Sequence, residues 1–589
     1  MPTVVLLAAV LAAVLSDLPP HAAEGEAFVV AAPHRLASEA GVEVLARGGN
    51  VVDAAVAAAL ATGVTRPQSS GIGGGGFMII HLAEQGSFAL DFREVAPRGG
   101  RPEAFLDATG SPIPGRSSIG AWSVAVPCSL RGLESALRRF GTISLAEAVA
   151  PAARLAREGF AVDPPLARAI EIAAEAIENE RARRGTSGPD EFSELERIYL
   201  PGGRPPAVGE VLRQPDLATT LERLGREGAE SFYRGPLAEA IVRAVRSAGG
   251  PLSMEDLAEL SPAWRTPLRA TLRGRLARGG RPLEVISMPP PSSGGACLLQ
   301  ALLALDGMPA VPEPERTRRL VELLRHAFAD RAALLGDPDA SPEVTADVAR
   351  MLDAAHLARL RESVAVTIRA APGRCGLGGL DADDGAEAGA AVEDGGTAHL
   401  SVLDSRGNAV ALSETINLEF GSKIIPPGTG IILNDQIDDF ALRAGVPNAF
   451  GLLMSARNLL APGRRPLSSM SPTIVLDGGR ATIAVGAAGG PRIISATLQV
   501  LRLILEGASA AEAVEAPRLH HQWMPDRVLV ERDVAPALRE MLTLAGHEVR
   551  EGRPPPSGDD AIVQAAVARE DGRLEAASDP REQAAAAGR

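Results

Sequence analysis

The sequence predicts an α+β fold, because segments with helical spacing of apolar residues and short strand-like runs occur in one chain. Residues 37–47 and 53–64 both show helical spacing, and the pair Gly48-Gly49 ends the first of these segments. Four further runs, joined in pairs by turn residues, are typical of two β-hairpins. These runs are residues 77–82, 88–93, 397–403 and 409–415.

The middle of the chain differs from the segment that follows it. Residues 144–356 are rich in Ala, Leu, Glu and Arg at helical spacing, so we expect helices packed around the core. Residues 371–396 contain mainly Gly, Ala, Asp and Glu, a composition that cannot form a packed core and predicts a loop or a disordered segment. Regular structure is expected to resume at Thr397.

Composition excludes several classes of function. The 589 residues are 46% hydrophobic, which is enough for a large core, and the net charge of -14 repels nucleic acid. The glycine-rich residues 71–76 are followed by neither the lysine nor the helix of a phosphate-binding loop, so we expect them to permit close backbone packing.

The cysteines and histidines indicate no metal site. Cys128, Cys297 and Cys375 lack C-x-x-C spacing, so we predict buried thiols rather than disulfides or metal ligands. His520 and His521 have no acidic or thiol partner nearby in the sequence, and we predict a structural role for them. No metal and no cofactor are predicted.

The N-terminus has the features of an export signal. Residues 4–15 are almost wholly apolar but shorter than the roughly 20 residues of a membrane span. Small residues follow at Ala22 and Ala23, so we predict a signal peptide over residues 1–23 and a periplasmic or secreted protein. The start lacks basic residues, which leaves a misassigned start codon or a short uncleaved anchor as alternatives.

Thr397 stands at the beginning of a strand-like run, where threonine is by itself an ordinary residue. The surrounding string Gly395-Gly396-Thr397-Ala398-His399-Leu400-Ser401 closely resembles the processing site of the γ-glutamyltransferases. Other parts of the chain resemble further signatures of that family. These are Gly48-Gly49-Asn50 with Asp53, and residues 66–97, 289–295, 397–439, 465–492 and 517–523.

The resemblance implies a four-layer αββα sandwich of the N-terminal-nucleophile type, formed by two fragments of one precursor. The zymogen would cut itself between Gly396 and Thr397, leaving a large fragment, residues 24–396, and a small catalytic fragment, residues 397–589, as a heterodimer. A free α-amine, with a pKa of about 7.7–8.0, can take the proton of the threonine hydroxyl, whereas an amide nitrogen cannot. Processing would therefore switch the activity on.

The resemblance also assigns catalytic roles. Thr415, at the far end of the second strand of the hairpin, would orient the nucleophile through a hydrogen bond. Gly489 and Gly490, in residues 486–491 between a strand and a helix, would supply the oxyanion hole. Without the resemblance, Thr415 is equally an ordinary strand residue and the two glycines a structural turn.

A γ-glutamyl donor carries a zwitterionic head group, and the resemblance assigns residues to both of its charges. The α-carboxylate would bind Arg93, Ser468 and Ser469, and the α-amine would bind Asn417, Gln436 and Asp439. Residues 441–462 resemble a lid loop in which Phe450 gates the pocket. Without the resemblance, Arg93 would be an ordinary surface charge beside Glu94, and Phe450 an exposed loop aromatic.

The predicted function is a γ-glutamyltransferase and glutathione hydrolase that transfers the γ-glutamyl group of glutathione to amino acids, peptides or water. Two alternatives remain: a glutaryl-type β-lactam acylase of the same superfamily, and a self-processed binding protein without catalysis. Asn417, Gln436 and Asp439 argue against the acylase. Glu414 and Glu419 depart from the family pattern, which usually has uncharged or aromatic residues there.

Overall fold

The computed structural model describes residues 19–185, 190–366, 369, 371–377, 396–552, 561–582 and 584–589. Most of the predicted signal peptide, residues 1–18, lies outside the described residues. Residues 378–395 of the predicted acidic loop also lie outside them.

The strands of the described residues form two large sheets and two small ones. One seven-stranded sheet has the order β1-β18-β17-β13-β12-β9-β8, and the other has the order β19-β2-β10-β11-β3-β4-β7. The strands in chain order are β1 (Ala22–Gly25), β2 (Phe28–Ala31), β3 (Gly75–Leu82), β4 (Gly86–Phe92), β5 (Phe160–Ala161), β6 (Val211–Leu212), β7 (Ala263–Arg265), β8 (Leu268–Leu272), β9 (Leu283–Ser287), β10 (Gly396–Asp404), β11 (Ala409–Asn417), β12 (Thr473–Asp477), β13 (Arg480–Ala488), β14 (Leu519–His520), β15 (Arg527–Val530), β16 (Glu548–Glu551), β17 (Ile562–Ala568), β18 (Leu574–Ser578) and β19 (Ala587–Gly588).

The helices lie outside the two large sheets, some packed against a sheet and others against neighbouring helices. They are α1 (Arg35–Ala46), α2 (Val51–Thr65), α3 (Ser129–Phe140), α4 (Leu145–Glu158), α5 (Pro164–Arg184), α6 (Ser193–Tyr199), α7 (Pro215–Glu227), α8 (Glu230–Tyr233), α9 (Pro236–Ser247), α10 (Met254–Glu259), α11 (Gly294–Asp306), α12 (Glu315–Leu334), α13 (Glu343–Met351), α14 (Ala354–Ala365), α15 (Arg492–Leu505), α16 (Ala510–Glu515) and α17 (Pro536–Leu544).

The order of layers is helix, sheet, sheet, helix, as the resemblance implied. Strand β10 packs against β13 and β17 of the facing sheet, and α2 covers the opposite face of β10 and β11. On the other side, α11 and α15 cover the sheet that contains β13. Helix α2 is apolar on every face because it lies between the sheet and other helices, and nearly all its residues are buried.

The start of α2 is fixed by the sequence block Gly48-Gly49-Asn50 with Asp53. Asn50 and Asp53 form a capping box, in which each side chain accepts a hydrogen bond from the other residue's backbone N–H. Asp53 also accepts hydrogen bonds from the backbone N–H and the hydroxyl of Thr142. The block therefore anchors the central helix to the segment that leads into α4.

The structure confirms the predicted helical pair and both hairpins, but the middle of the chain is not wholly helical. Strands β8 and β9 lie inside residues 144–356 and form one edge of a large sheet, and β7 lies at the edge of the other. These strands are three to five residues long, and the helical periodicity of the long segments around them obscures their short pattern. Cys128, Cys297 and Cys375 are free and buried, as predicted.

The two sheets touch closely where β10 crosses β13. The ring of His399 lies between hydrogen bonds to Ser413 and Ser401, 2.7 and 3.1 Å long, and burial lowers its pKa to about 3, so the ring is neutral. A Cβ atom added to Gly486 would lie 2.4 Å from the ring carbon Cε1 of His399. Glycine at position 486 therefore allows the two sheets to approach closely at His399, which lies two residues from Thr397.

We expect Gly486→Ala to lower the free energy of unfolding by about 1–3 kcal/mol, because the new methyl group overpacks a closed interface. Denaturant unfolding of the purified protein measures the change. Gly373→Ala is the matched control, since a Cβ atom at Gly373 meets open space. Equal stability of the two variants would contradict this account of the sheet interface.

Candidate active site

Thr397 and Thr415 lie directly opposite each other on β10 and β11. Their hydroxyl oxygens are 3.0 Å apart. The register shifts at this point, because Gly396 pairs with Asn417 and leaves one extra residue in β11. The bulge brings the Thr415 hydroxyl within 2.6 Å of the Gly396 carbonyl oxygen, to which it donates a hydrogen bond.

Alternation along the strands decides which side chains reach the site. Ser413 and Thr415 face the opposite large sheet together with Thr397, whereas Glu414 points toward the helices. Asn417 ends β11 with a positive φ of 83° and donates its side-chain N–H to the carbonyl oxygen of Asp435. The sequence thus aims hydroxyl groups inward at the end of the hairpin.

The predicted oxyanion turn is shorter in the structure than in the sequence interpretation. Strand β13 continues to Ala488, so residues 486–488 belong to the sheet and only Gly489, Gly490 and Pro491 connect it to α15. The φ angles of Gly489 and Gly490 are 123° and 50°, in the region that favours glycine. The sequence interpretation ended this strand too early, because the small residues Gly486, Ala487 and Ala488 are weak strand signals.

A pocket of about 300 Å³ collects the predicted residues around Thr397. Its lining contains Arg93, Thr397, Thr415, Asn417, Asp439, Phe450, Ser468, Ser469 and Gly490. Gln436 joins the group by donating a hydrogen bond of 2.7 Å to Asp439, and Gly489 precedes Gly490 in the turn. The structure therefore brings together residues of β10 and β11 with residues of the three loops that follow β4, β11 and β13.

Arg93 is fully buried, so the interpretation of this residue as a surface charge is wrong. Its guanidinium group binds the carboxylate of Asp439, lies 3.5 Å from the carboxylate of Glu94 and donates to the Pro466 carbonyl oxygen. Burial raises the pKa of Glu94 to about 7, against the opposing effect of Arg93. The guanidinium group is thus held in a fixed position at the pocket wall.

Phe450 lines the pocket and is buried, which rules out an exposed surface role. The side-chain oxygen of Asn448 accepts hydrogen bonds from the backbone N–H groups of Phe450 and Leu452, both 3.1 Å long. Asp438 accepts from the Ala449 N–H and from the Ser117 hydroxyl, and burial raises its pKa to about 6. These contacts hold the predicted lid segment over the pocket.

The sequence interpretation missed Asn448, Asp438 and Ser117, which support the lid rather than line the pocket. Asp438 adjoins the predicted Asp439, and that adjacency was the available signal. Nothing in the sequence linked Ser117 to either residue, because the contact joins loops more than 300 positions apart.

Four layers in the order α, β, β, α, with a threonine pair at the end of a central hairpin, define an N-terminal-nucleophile hydrolase. The family model "Gamma-glutamyltranspeptidase" matches residues 37–589. The chain belongs to this family of enzymes, and the function predicted from the sequence is thereby supported over the acylase alternative.

Similar proteins span most of the chain. The glutathione hydrolase proenzyme of Pseudomonas sp. (strain A14) is 37% identical over 514 residues, which are 86% of this chain and 83% of the relative. The proenzyme of the same name from Escherichia coli (strain K12) is 35% identical and covers 95% of this chain and 91% of its own length.

Solved structures of similar proteins agree with the fold. Cephalosporin acylase from Bacillus halodurans has a TM-score of 0.81 at 25% identity and covers 98% of both chains. The Helicobacter pylori gamma-glutamyltranspeptidase has a TM-score of 0.51 at 34% identity, over 56% of this chain and 90% of that chain.

The described residues contain no cluster of three or more His, Cys, Asp or Glu side chains that could hold a metal ion. His520 is buried between Ser495 and Gln522, and His521 lies beside Asp526. Among the described residues, no helix has the length and apolar character that crossing a membrane requires.

We expect Asn448→Ala to raise KM for the donor substrate about fivefold, since the hydrogen bond that the Phe450 N–H donates to Asn448 contributes about 1 kcal/mol. Steady-state kinetics measure the change. Arg443→Ala is the control, because this exposed lid side chain bonds only to the carbonyl oxygen of Gly110 among the described groups. The same KM in both variants would show that Asn448 does not hold the lid.

Proposed function

We propose that the chain is a glutathione hydrolase and γ-glutamyltransferase that cleaves itself between Gly396 and Thr397. Thr397 then serves as the nucleophile of the mature enzyme. Family membership supports the reaction class, and the names of both relatives describe proenzymes. The observation that carries the proposal is the placement of the Thr397 and Thr415 hydroxyls beside the Gly396 carbonyl group.

Maturation requires attack by the Thr397 hydroxyl oxygen on the carbonyl carbon of Gly396. The hydrogen bond from Thr415 polarises that carbonyl group and stabilises negative charge on its oxygen. The C–N bond breaks, an ester forms, and the hydroxyl proton passes to the Thr397 nitrogen. Water then hydrolyses the ester, which leaves a carboxylate on Gly396 and a free amine on Thr397.

The same hydroxyl then performs catalysis. The free amine of Thr397 takes the hydroxyl proton, and the oxygen attacks the γ-carbonyl carbon of the donor. The N–H groups of Gly489 and Gly490 are proposed to stabilise the oxyanion. The amide bond breaks as the leaving amine takes the proton, and the glutamyl ester on Thr397 passes to water or to an acceptor amine.

Arg93 and Asp439 explain the choice of a γ-glutamyl donor. Their charged groups are neighbours at the pocket wall, so they match the carboxylate and the ammonium group that share one α-carbon. Asn417 lines the same wall, and Gln436 bonds to Asp439. A glutaryl donor lacks the ammonium group, and its binding would leave Asp439 without a ligand partner.

Export and a two-fragment product are part of the proposal. Residues 4–15 support export by their composition, although they lie outside the described residues. Both large sheets combine strands from before Thr397 with strands from after it, and neighbouring strands of the two groups are hydrogen-bonded, which supports fragments that stay together after cleavage.

We expect the purified protein to contain a fragment of about 20 kDa that begins Thr-Ala-His-Leu, because cleavage before Thr397 separates residues 397–589 from the 60.9 kDa chain. Intact mass and N-terminal sequencing detect it. Thr397→Ala should remain one chain and Thr397→Ser should still be cut, since serine keeps the hydroxyl group. A folded wild-type protein that is never cut would refute the proposal.

We expect Asp439→Asn to lower kcat/KM for γ-glutamyl-p-nitroanilide about a hundredfold or more, because the partly buried carboxylate partner of the ammonium group is lost. Activity with glutaryl-p-nitroanilide should change far less, so the preference between the donors narrows. Asp438→Asn, which acts on the lid, should lower both activities by a similar factor. A wild-type preference for the glutaryl donor would favour the acylase.

A further inference from the structure

Arg331, on α12, is a buried cation without a carboxylate partner. It is 2% exposed, and no described carboxylate oxygen lies within 4.0 Å of its side-chain nitrogens. Four other arginines in the described chain are similarly buried, and each of them has a carboxylate partner. These pairs are Arg66 with Asp163, Arg93 with Asp439, Arg318 with Glu315 and Arg325 with Glu322. An unpaired buried guanidinium group destabilises a protein, and an anionic ligand nearby offsets that effect.

The guanidinium group of Arg331 is linked to the pocket at Thr397 by hydrogen bonds. Its Nε–H group donates to the Ser293 hydroxyl oxygen over 3.0 Å, whereas Nη1 has no partner in the described part of the chain. The hydroxyl and the backbone N–H of Ser293 donate in turn to the Ser468 carbonyl oxygen, over 2.6 and 2.7 Å. Ser468 lines the pocket. A hydroxyl that accepts a bond from a cation donates more strongly itself, so Arg331 strengthens the hold of Ser293 on Ser468.

The loop before α11 clamps the serine pair of the pocket wall. The Ser468 N–H donates to the Pro291 carbonyl oxygen over 2.8 Å, and the Ser292 hydroxyl donates to the Met470 carbonyl oxygen over 2.6 Å. A further bond of 3.2 Å runs from the Met470 N–H to the Ser468 hydroxyl oxygen. The loop belongs to residues 289–295, so this block positions the wall that would bind the α-carboxylate of the donor.

The charges at the pocket wall leave room for a second cation. Arg93 already adjoins the carboxyl groups of Asp439 and Glu94, so it offers an incoming carboxylate no net positive charge. Burial lowers the pKa of Arg331, while Cys297 and Asp439 raise it, and arginine stays protonated at neutral pH. Because Asp439 acts on Arg331 electrostatically, the charge of Arg331 also acts in the pocket. Arg331 therefore supplies positive charge that no described carboxylate pairs.

We propose that Arg331 is a positioning residue for the α-carboxylate of the donor, acting through Ser293 on Ser468 and through its own positive charge. Arg331 is not part of the described pocket lining, so it does not touch the donor. Its charge acts over the intervening distance because the surroundings are buried and screen it weakly. The inference rests on the proposed function, since the α-carboxylate belongs to a γ-glutamyl donor.

Competitive inhibition of γ-glutamyl-p-nitroanilide hydrolysis tests the proposal with L-glutamate and 4-aminobutanoate. The two inhibitors differ only in the α-carboxylate, which 4-aminobutanoate lacks. Arg331→Met should raise Ki for L-glutamate tenfold or more and change Ki for 4-aminobutanoate less than twofold. Arg331→Lys keeps the charge and should recover most of the loss. Because Ki does not depend on the fraction of enzyme that is cleaved, a defect in maturation cannot mimic this result.

Ser293→Ala tests the same link with a smaller change, in case Arg331→Met does not fold. It removes the hydroxyl that connects Arg331 to Ser468, and it should raise Ki for L-glutamate at least threefold without affecting 4-aminobutanoate. Arg318→Met is the matched control, since it removes a buried arginine from the same helix while Glu315 keeps Arg319 as its partner. Both inhibition constants should be unchanged in this control.

The two inhibitors separate a positioning role from a structural one. A rise of both inhibition constants by the same factor in Arg331→Met and Ser293→Ala would show general damage to the pocket and overturn the proposal. Unchanged constants in both variants would overturn it as well. A wild-type protein that does not hydrolyse γ-glutamyl-p-nitroanilide would instead refute the proposed function, on which this inference rests.

Discussion

The contact between the Thr415 hydroxyl and the Gly396 carbonyl oxygen depends on a single extra residue in β11. In a regular antiparallel pair, Gly396 would face Ile416, and the Thr415 hydroxyl would not reach its carbonyl oxygen. The bulge brings the Thr415 hydroxyl to the Gly396 carbonyl oxygen and places the backbone of Asn417 in the left-handed conformation. In that conformation the Asn417 side chain reaches Asp435, in the loop before Gln436. One local irregularity thus joins the hairpin to the loop that carries the substrate residues.

A cluster of buried charge surrounds this hairpin, and its members stabilise one another. Arg93 is fully buried, and the carboxyl groups of Asp439 and Glu94 lie beside its guanidinium group. Glu94 is packed in turn against Gly75, where a Cβ atom would lie 2.5 Å from its carboxyl oxygen. Gly75, one of the glycine-rich residues 71–76, therefore lets the buried carboxyl group of Glu94 pack directly against the backbone. This contact adds to the close backbone packing that the sequence predicted for the segment.

Much of this arrangement follows from the sequence, and the reasons for the remainder are physical. The strands of the hairpin and the two central helices were predictable because their patterns are long and local. Residues such as Arg93 and Phe450 could be assigned only by resemblance, since their burial results from contacts between distant segments. The resemblance did not identify Asp438 or Ser117. Glu414 was recognised as unusual, but only the structure shows that it is buried on the helix side of the catalytic strand.

The position of the hairpin in its sheet constrains the order in which the protein forms. Strands β2 and β3 are synthesised early, yet they do not pair with each other, because β10 and β11 lie between them. The sheet remains open until a segment from far later in the chain inserts into the gap, which is slow because it closes a very long loop. Until then the edges of β2 and β3 are unpaired and open to association with other chains. The nascent protein therefore depends on protection of those edges during synthesis, a demand that ends when the hairpin carrying Thr397 is in place.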